Sequence, residues 1–86
     1  MARVIRTDDF ERALRKLPRH AQKLCGRQLE LLAIDPHDTR LHVKKLREQE
    51  NLFSFRVTRN YRGFLYFDSE NNIIVFDIDD RKDAYR

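Results

Sequence analysis

Residues 52–67 read LFSFRVTRNYRGFLYF, and the pairing of this stretch with itself decides the fold. Phe53, Phe55 and Val57 alternate with Ser54 and Arg56, the period-two pattern of a half-buried strand, and YRGFLYF follows after a short turn. The loop length sets the register. If the loop holds only Arg59 and Asn60, Val57 pairs with Arg62 and an arginine drops onto the apolar face. If Thr58 joins the loop, Arg56 lies opposite Arg62, and Phe53, Phe55 and Val57 share a face with Tyr61, Gly63, Leu65 and Phe67. A one-residue slip exchanges every side chain between faces, so the clean segregation selects the longer loop.

Working outward, SENN at 69–72 makes a second turn into IIVFDID at 73–79, which completes an antiparallel meander. The KKL at 44–46 predicts a short edge strand before it. Upstream, ARVIR at 2–6 reads as a strand, and TDDFERALRKL places Phe10, Ala13, Leu14 and Leu17 at helical spacing, with Asp8 and Glu11 in a capping-box arrangement. Pro18 ends that helix and opens the next, whose apolar stripe is Ala21, Leu24, Cys25, Gln28, Leu31 and Leu32, closed by Asp35-Pro36. The expected fold class is α+β. A β-α-α-β-β-β-β order packs a helical hairpin on one face of a small sheet.

With 86 residues the chain (residues 1–86) reads as one domain with a thin core. At 41% hydrophobic and 37% charged, with only two Gly and two Pro, its composition is that of a globular chain rather than a disordered one. The single cysteine, Cys25, excludes an internal disulfide and fits a reducing compartment, the cytoplasm. No Cys/His cluster has zinc spacing, so neither a metal nor a cofactor is expected, and the sequence shows no signal peptide or membrane-length apolar run. The formal charge of +4 is modest, and its distribution matters more: between His42 and Tyr66 stand six Lys or Arg and only Glu48 and Glu50.

The register makes Arg56 and Arg62 cross-strand neighbours. Like charges placed so cost a few tenths to about 1 kcal/mol, which calls for an offset. Two readings stay open. The long side chains splay into water, or the pair holds a phosphate through charge-assisted hydrogen bonds worth roughly 1.5–3 kcal/mol each. Phe64 and Tyr66 share their face, giving the basic and aromatic mixture that suits single-stranded nucleic acid.

On these features the sequence resembles the RelE/ParE toxin superfamily over nearly its whole length. The resemblance rests on a strand and helical hairpin ending in a DP turn, KKL before the meander, LFSFRVTRNYRGFLYF, and RKDAYR at 81–86. Members typically carry a hairpin of the form YRVxxxYRVxY and a terminal GHRRDVYR. The resemblance implies the toxin of a toxin–antitoxin pair, in the commonest form a metal-free, ribosome-dependent messenger RNA endonuclease. Another branch inhibits DNA gyrase, and a weakened RNA-binding relative is a third class. By position, Arg62 matches the arginine of the YR element, Arg56 a basic position of the preceding strand, and Arg81 and Tyr85 the terminal arginine and tyrosine. Lys44 and Lys45 match a basic patch associated with RNA, which Arg59 and His42 extend. Ser54 stands where some nucleases carry lysine, and Asp79-Asp80 where many carry Gly-His. The implied partners are an antitoxin, the ribosome and messenger RNA, with gyrase for the alternative branch and no membrane.

Metal-free RNA cleavage needs the 2′-hydroxyl deprotonated, the phosphorane charge stabilised and the 5′-oxygen protonated. Arginines, always charged and bidentate toward phosphate, suit the second task, with Arg62 first and Arg56 and Arg81 in support. Tyr85 is a candidate base or stacking platform, although an unperturbed tyrosine has a pKa near ~10. Asp80 is either a proton acceptor or a salt-bridging surface carboxylate. His20 and His37 read as exposed structural residues, and His42, just before KKL, as one within reach of RNA.

Overall fold

The computed structural model describes residues 3–46 and 51–80. The chain order is β1 (Val4–Arg6), α1 (Asp8–Arg15), α2 (Arg19–Ile34), one turn of 3-10 helix (Thr39–Leu41), β2 (Lys44–Lys45), β3 (Leu52–Arg56), β4 (Tyr61–Phe67) and β5 (Ile73–Asp80). The strands form one five-stranded sheet in the order β1-β5-β4-β3-β2, with β1 parallel to β5 and the other pairs antiparallel. This is the α+β arrangement expected from the alternating periods of the sequence.

Thr7, rather than Asp8, caps α1: its hydroxyl accepts the Phe10 amide at 3.1 Å. Asp8, Asp9 and Glu11 then fall in the first turn and Arg12 and Arg15 in the last, each sign at the dipole end that favours it. Pro18 is the N-cap of α2 with φ −56°, and its carbonyl accepts from the amides of Ala21 and Gln22. The buried stripe of α2 is Ala21, Cys25, Leu29 and Leu32; Leu24 is exposed, and Leu29 takes the place that the sequence reading gave it. Gln28 reaches sideways instead, its amide donating to the carbonyls of Arg56 (2.8 Å) and Arg40 (3.1 Å) and so tying α2 to the end of β3.

The core lies between the helices and one sheet face: Phe10, Leu14, Cys25, Leu29 and Leu32 meet Phe55, Val57, Leu65, Ile73, Val75 and Ile78. Gly63 sits opposite Phe55, and a Cβ there would run into the Phe55 ring, so the aromatic side chain lies over a strand position that favours a bare residue. The hairpin loop is the longer one. Val57 N–H and Thr58 N–H both donate to the Tyr61 carbonyl, and the Thr58 hydroxyl accepts the amides of Asn60 and Tyr61, which pairs Arg56 with Arg62. The β4–β5 turn is organised by Asp68, whose carboxylate accepts from the amides of Glu70 and Asn72 and from the Asn72 side chain, while Asn71 takes the left-handed conformation at φ 63° that asparagine tolerates.

Candidate nucleic-acid interface

The sheet face turned away from the helices is built by strand alternation. Ser54 and Arg56 of β3 and Arg62, Phe64 and Tyr66 of β4 all project to it, as the register Ser54↔Phe64 and Arg56↔Arg62 requires. A break in the pairing between Phe64 and Leu65 leaves Phe76 of β5 without a cross-strand partner and adds its ring to the group. The Phe76 ring lies 6.4 Å from that of Phe64 and 5.7 Å from that of Tyr66, centre to centre. Ile73, Val75 and Ile78 all join the core cluster, whereas Ile74, buried as well, does not; this change of parity along one strand is what the irregularity allows.

Arg62 is the centre of the face and it is buried, with 2% of its surface exposed. Its Nε donates to the Ser54 hydroxyl at 3.2 Å, and Nη2 donates to the same hydroxyl at 3.0 Å and to the His42 carbonyl at 2.7 Å. That carbonyl belongs to a residue in the left-handed region (φ 47°, ψ 48°), where the chain leaves the 3-10 turn and heads into β2. One guanidinium therefore fastens the approach to the edge strand onto the central hairpin. A serine hydroxyl is what allows it: a lysine at 54 would offer no acceptor and a second positive charge. Asp79 is the cross-strand neighbour of Arg62 on β5, and Asp77 that of Phe64, so the far side of the face is acidic.

The remaining sites expected from sequence are spread around this centre. Arg56 is half-buried beside Arg62, and Arg59 is exposed in the hairpin loop. Lys44 and Lys45 are both exposed, but they do not form one patch: Lys44 pairs with Ser54 and Lys45 with Phe53, so alternation sends them to opposite sides of the sheet. Lys45 and the exposed His42 instead border a groove of about 610 Å³ with Pro36, Val43, Phe53 and Phe67; the two phenylalanine rings meet edge to face at 5.4 Å. The backbone of Asp80 pairs with Tyr61 at the end of β5, while Arg81 and Tyr85 lie outside the described residues. Among the described residues no group of His, Cys, Asp or Glu is arranged to hold a metal ion, and no described helix is long and apolar enough to cross a membrane. His42 contributes its main chain to Arg62, a role that residue type alone could not signal.

Comparison with known proteins places this geometry in a family. The model of the phage derived protein Gp49-like family matches residues 12–83. Among solved structures, the chain is similar to the toxin–antitoxin complex RelBE2 of Mycobacterium tuberculosis (27% identity, 93% of this chain and 98% of that chain covered, TM-score 0.75). It is also similar to the RelB–RelE antitoxin–toxin complex of Methanococcus jannaschii (22% identity, 94% of each chain covered, TM-score 0.79). The isolated RelE toxin of E. coli superposes at TM-score 0.73 with 16% identity, covering 99% of this chain and 92% of that chain. Among curated proteins none matches by sequence. The chain belongs to the phage derived protein Gp49-like family, within the RelE/ParE toxin superfamily.

Proposed function

We propose that this protein is the toxin of a type II toxin–antitoxin pair and that it acts as a ribosome-dependent messenger RNA endonuclease. The supporting observation is the outer sheet face, where Arg56 stands beside Arg62 with Lys44, Phe64, Tyr66 and Phe76 around them, in a fold shared with RelE toxins. In this reading Arg56, the half-buried member of the pair, meets the scissile phosphate, Lys44 and Arg59 hold the flanking backbone, and the aromatic rings stack a base. Arg62 positions the hairpin against the edge strand and lends its charge from beneath. By resemblance, Arg81, Tyr85 and Asp80 are the candidates for charge stabilisation and proton transfer. A small chain can work so because the ribosome orients the substrate, and orientation is a large part of the barrier.

The test is purified chain added to ribosomes programmed with a defined message, read by primer extension. Cuts inside the translated frame are expected. Arg56→Ala and Lys44→Ala should each lower the cleavage rate, the former by about 10²-fold or more. Intact message during full growth arrest sinks the nuclease reading.

The burial of Arg62 under bonds to Ser54 and His42 and the acidic β5 favour, as a second reading, a toxin that binds DNA gyrase without cutting RNA. Inhibition of gyrase supercoiling by the purified chain, with messages left intact, is the result that would establish it.

A further inference from the structure

The edge strand β2 consists of two exposed lysines that face opposite ways, Lys44 beside Ser54 on the outer face and Lys45 beside Phe53 on the side of the helices. No described strand pairs beyond β2, so the two faces of the sheet meet round it. On the Lys45 side lies the groove of about 610 Å³, between the 3-10 turn and the strands β3 and β4. The cleavage reading above uses the Lys44 side and leaves this groove without a task.

Its walls divide by chemistry. Phe53 and Phe67 supply two half-buried rings in edge-to-face contact, and His37, His42 and Lys45 are exposed around them. Asp38 is the one carboxylate along the groove, and both of its oxygens are engaged by the Arg40 guanidinium, at 3.0 and 2.7 Å. Lys45 makes no salt bridge among the described residues. Rings for a base with an uncommitted cation for its phosphate are what an unpaired nucleotide requires. The volume is that of a small-ligand site.

An acidic peptide with apolar side chains would also match these walls. Continuity favours RNA. Adjacent Cα atoms stand about 3.8 Å apart, so a phosphate backbone that leaves Lys44 on the outer face meets Lys45 as it rounds the edge. His42 links the two sides as well: its side chain borders the groove while its carbonyl accepts from Arg62 at 2.7 Å.

We propose that the groove is a subsite for one unpaired nucleotide of the message, flanking the cut, which the RNA reaches by turning round β2. The base lies against Phe53 and Phe67, and Lys45 and His42 hold its phosphate. The proposal rests on the nuclease reading for the identity of the RNA, and on the groove for its place and chemistry.

The test measures Kd for the full chain with 2′-O-methyl RNA, which lacks the attacking hydroxyl and stays intact. A short oligonucleotide spans only the outer face, and a longer one can round β2. The longer RNA should bind more tightly, and an abasic residue moved along it should find one flanking position where affinity falls about 10-fold, the worth of one stacked base. That position should vanish in Phe67→Leu, which keeps an apolar side chain against the core and whose folding a urea midpoint confirms. Lys45→Ala should cancel the gain from length, and Lys45→Arg should restore it. The proposal is overturned if no abasic position responds to Phe67→Leu, if the responding position is lost only in Phe64→Leu on the outer face, or if the wild-type chain binds none of these RNAs. It is overturned too if the groove variants lose an acidic protein partner while every RNA affinity is unchanged. Should the groove position appear while messages on ribosomes stay whole, the subsite stands and the nuclease reading falls; cuts without such a position remove the subsite alone.

Discussion

The Arg62 guanidinium lies across Ser54, giving that single hydroxyl two hydrogen bonds, at 3.2 Å from Nε and 3.0 Å from Nη2. Cross-strand arginines should repel. Here one member of the pair is withdrawn from water and held by fixed dipoles, those of Ser54 and of the His42 carbonyl, while Arg56 keeps partial access to solvent. The cost of opposing like charges is thus offset inside the fold before any ligand arrives, and the two arginines have different work to do.

Arg62→Ala should destabilise the protein, because the Ser54 hydroxyl and the His42 carbonyl lose a buried donor; about 2–4 kcal/mol is expected, measured as a fall in the urea midpoint. Ser54→Ala should cost about 1–3 kcal/mol, by removing the buried hydroxyl that accepts from Nε and Nη2 of Arg62. Arg56→Ala should be nearly neutral in the same measurement. If Arg62→Ala is as stable as the wild type, the tethering role assigned to it is wrong.

Gly63→Ala tests the packing under the hairpin. The added Cβ would run into the Phe55 ring, and Phe55 is fully buried. Overpacking of this kind costs about 1–3 kcal/mol. A smaller residue at position 55 should restore part of the loss: in a double-mutant cycle, Phe55→Leu and Gly63→Ala should be less destabilising together than the sum of the two alone.

Acid stability should carry the mark of Asp38. The side chain and then the backbone amide of Arg40 hydrogen-bond its carboxylate, from Nε at 3.0 Å and Nη2 at 2.7 Å, and hold its pKa at about 2. A carboxyl depressed in the folded state contributes stability that is complete above its unfolded pKa of about 3.9 and fades as pH falls toward the folded value. Asp38→Asn should therefore flatten the loss of stability between about pH 4 and pH 2, read from urea midpoints. Asp68, also lowered by the hydrogen bonds of its turn, keeps a residual slope in the variant.

Cys25 should be chemically silent in the native protein. Burial pushes its thiol up to about 11, an effect that Arg6 moderates and Glu11 reinforces. Iodoacetamide at pH 8 should label it only through opening of the fold, so the rate should rise steeply with urea. Because the thiol ionises more readily in the unfolded chain, stability should decline as pH climbs from about 9 toward 11. Rapid labelling without denaturant would show that the α2 packing is looser than described.

How much of this was written in the sequence follows the range of the interactions involved. The hairpin register was legible because it is a local periodicity problem: only a loop that includes Thr58 keeps Phe55, Val57 and Leu65 on one side, and the structure has that loop. The strand at Lys44, the helical hairpin and the likeness to RelE toxins follow from the same short-range patterns. The placing of Arg62 was not legible, since its burial depends on a carbonyl 20 residues away that a left-handed turn at His42 presents to it. Nor could adjacent lysines be assigned to opposite sides until β2 was paired, or Phe76 joined to Phe64 and Tyr66 until the irregularity in β4–β5 pairing was seen. Alternation along a strand is a property of the chain, whereas burial and hydrogen-bond partners belong to whatever the fold brings alongside, and for Arg62, Lys45 and Phe76 only the tertiary structure decided that.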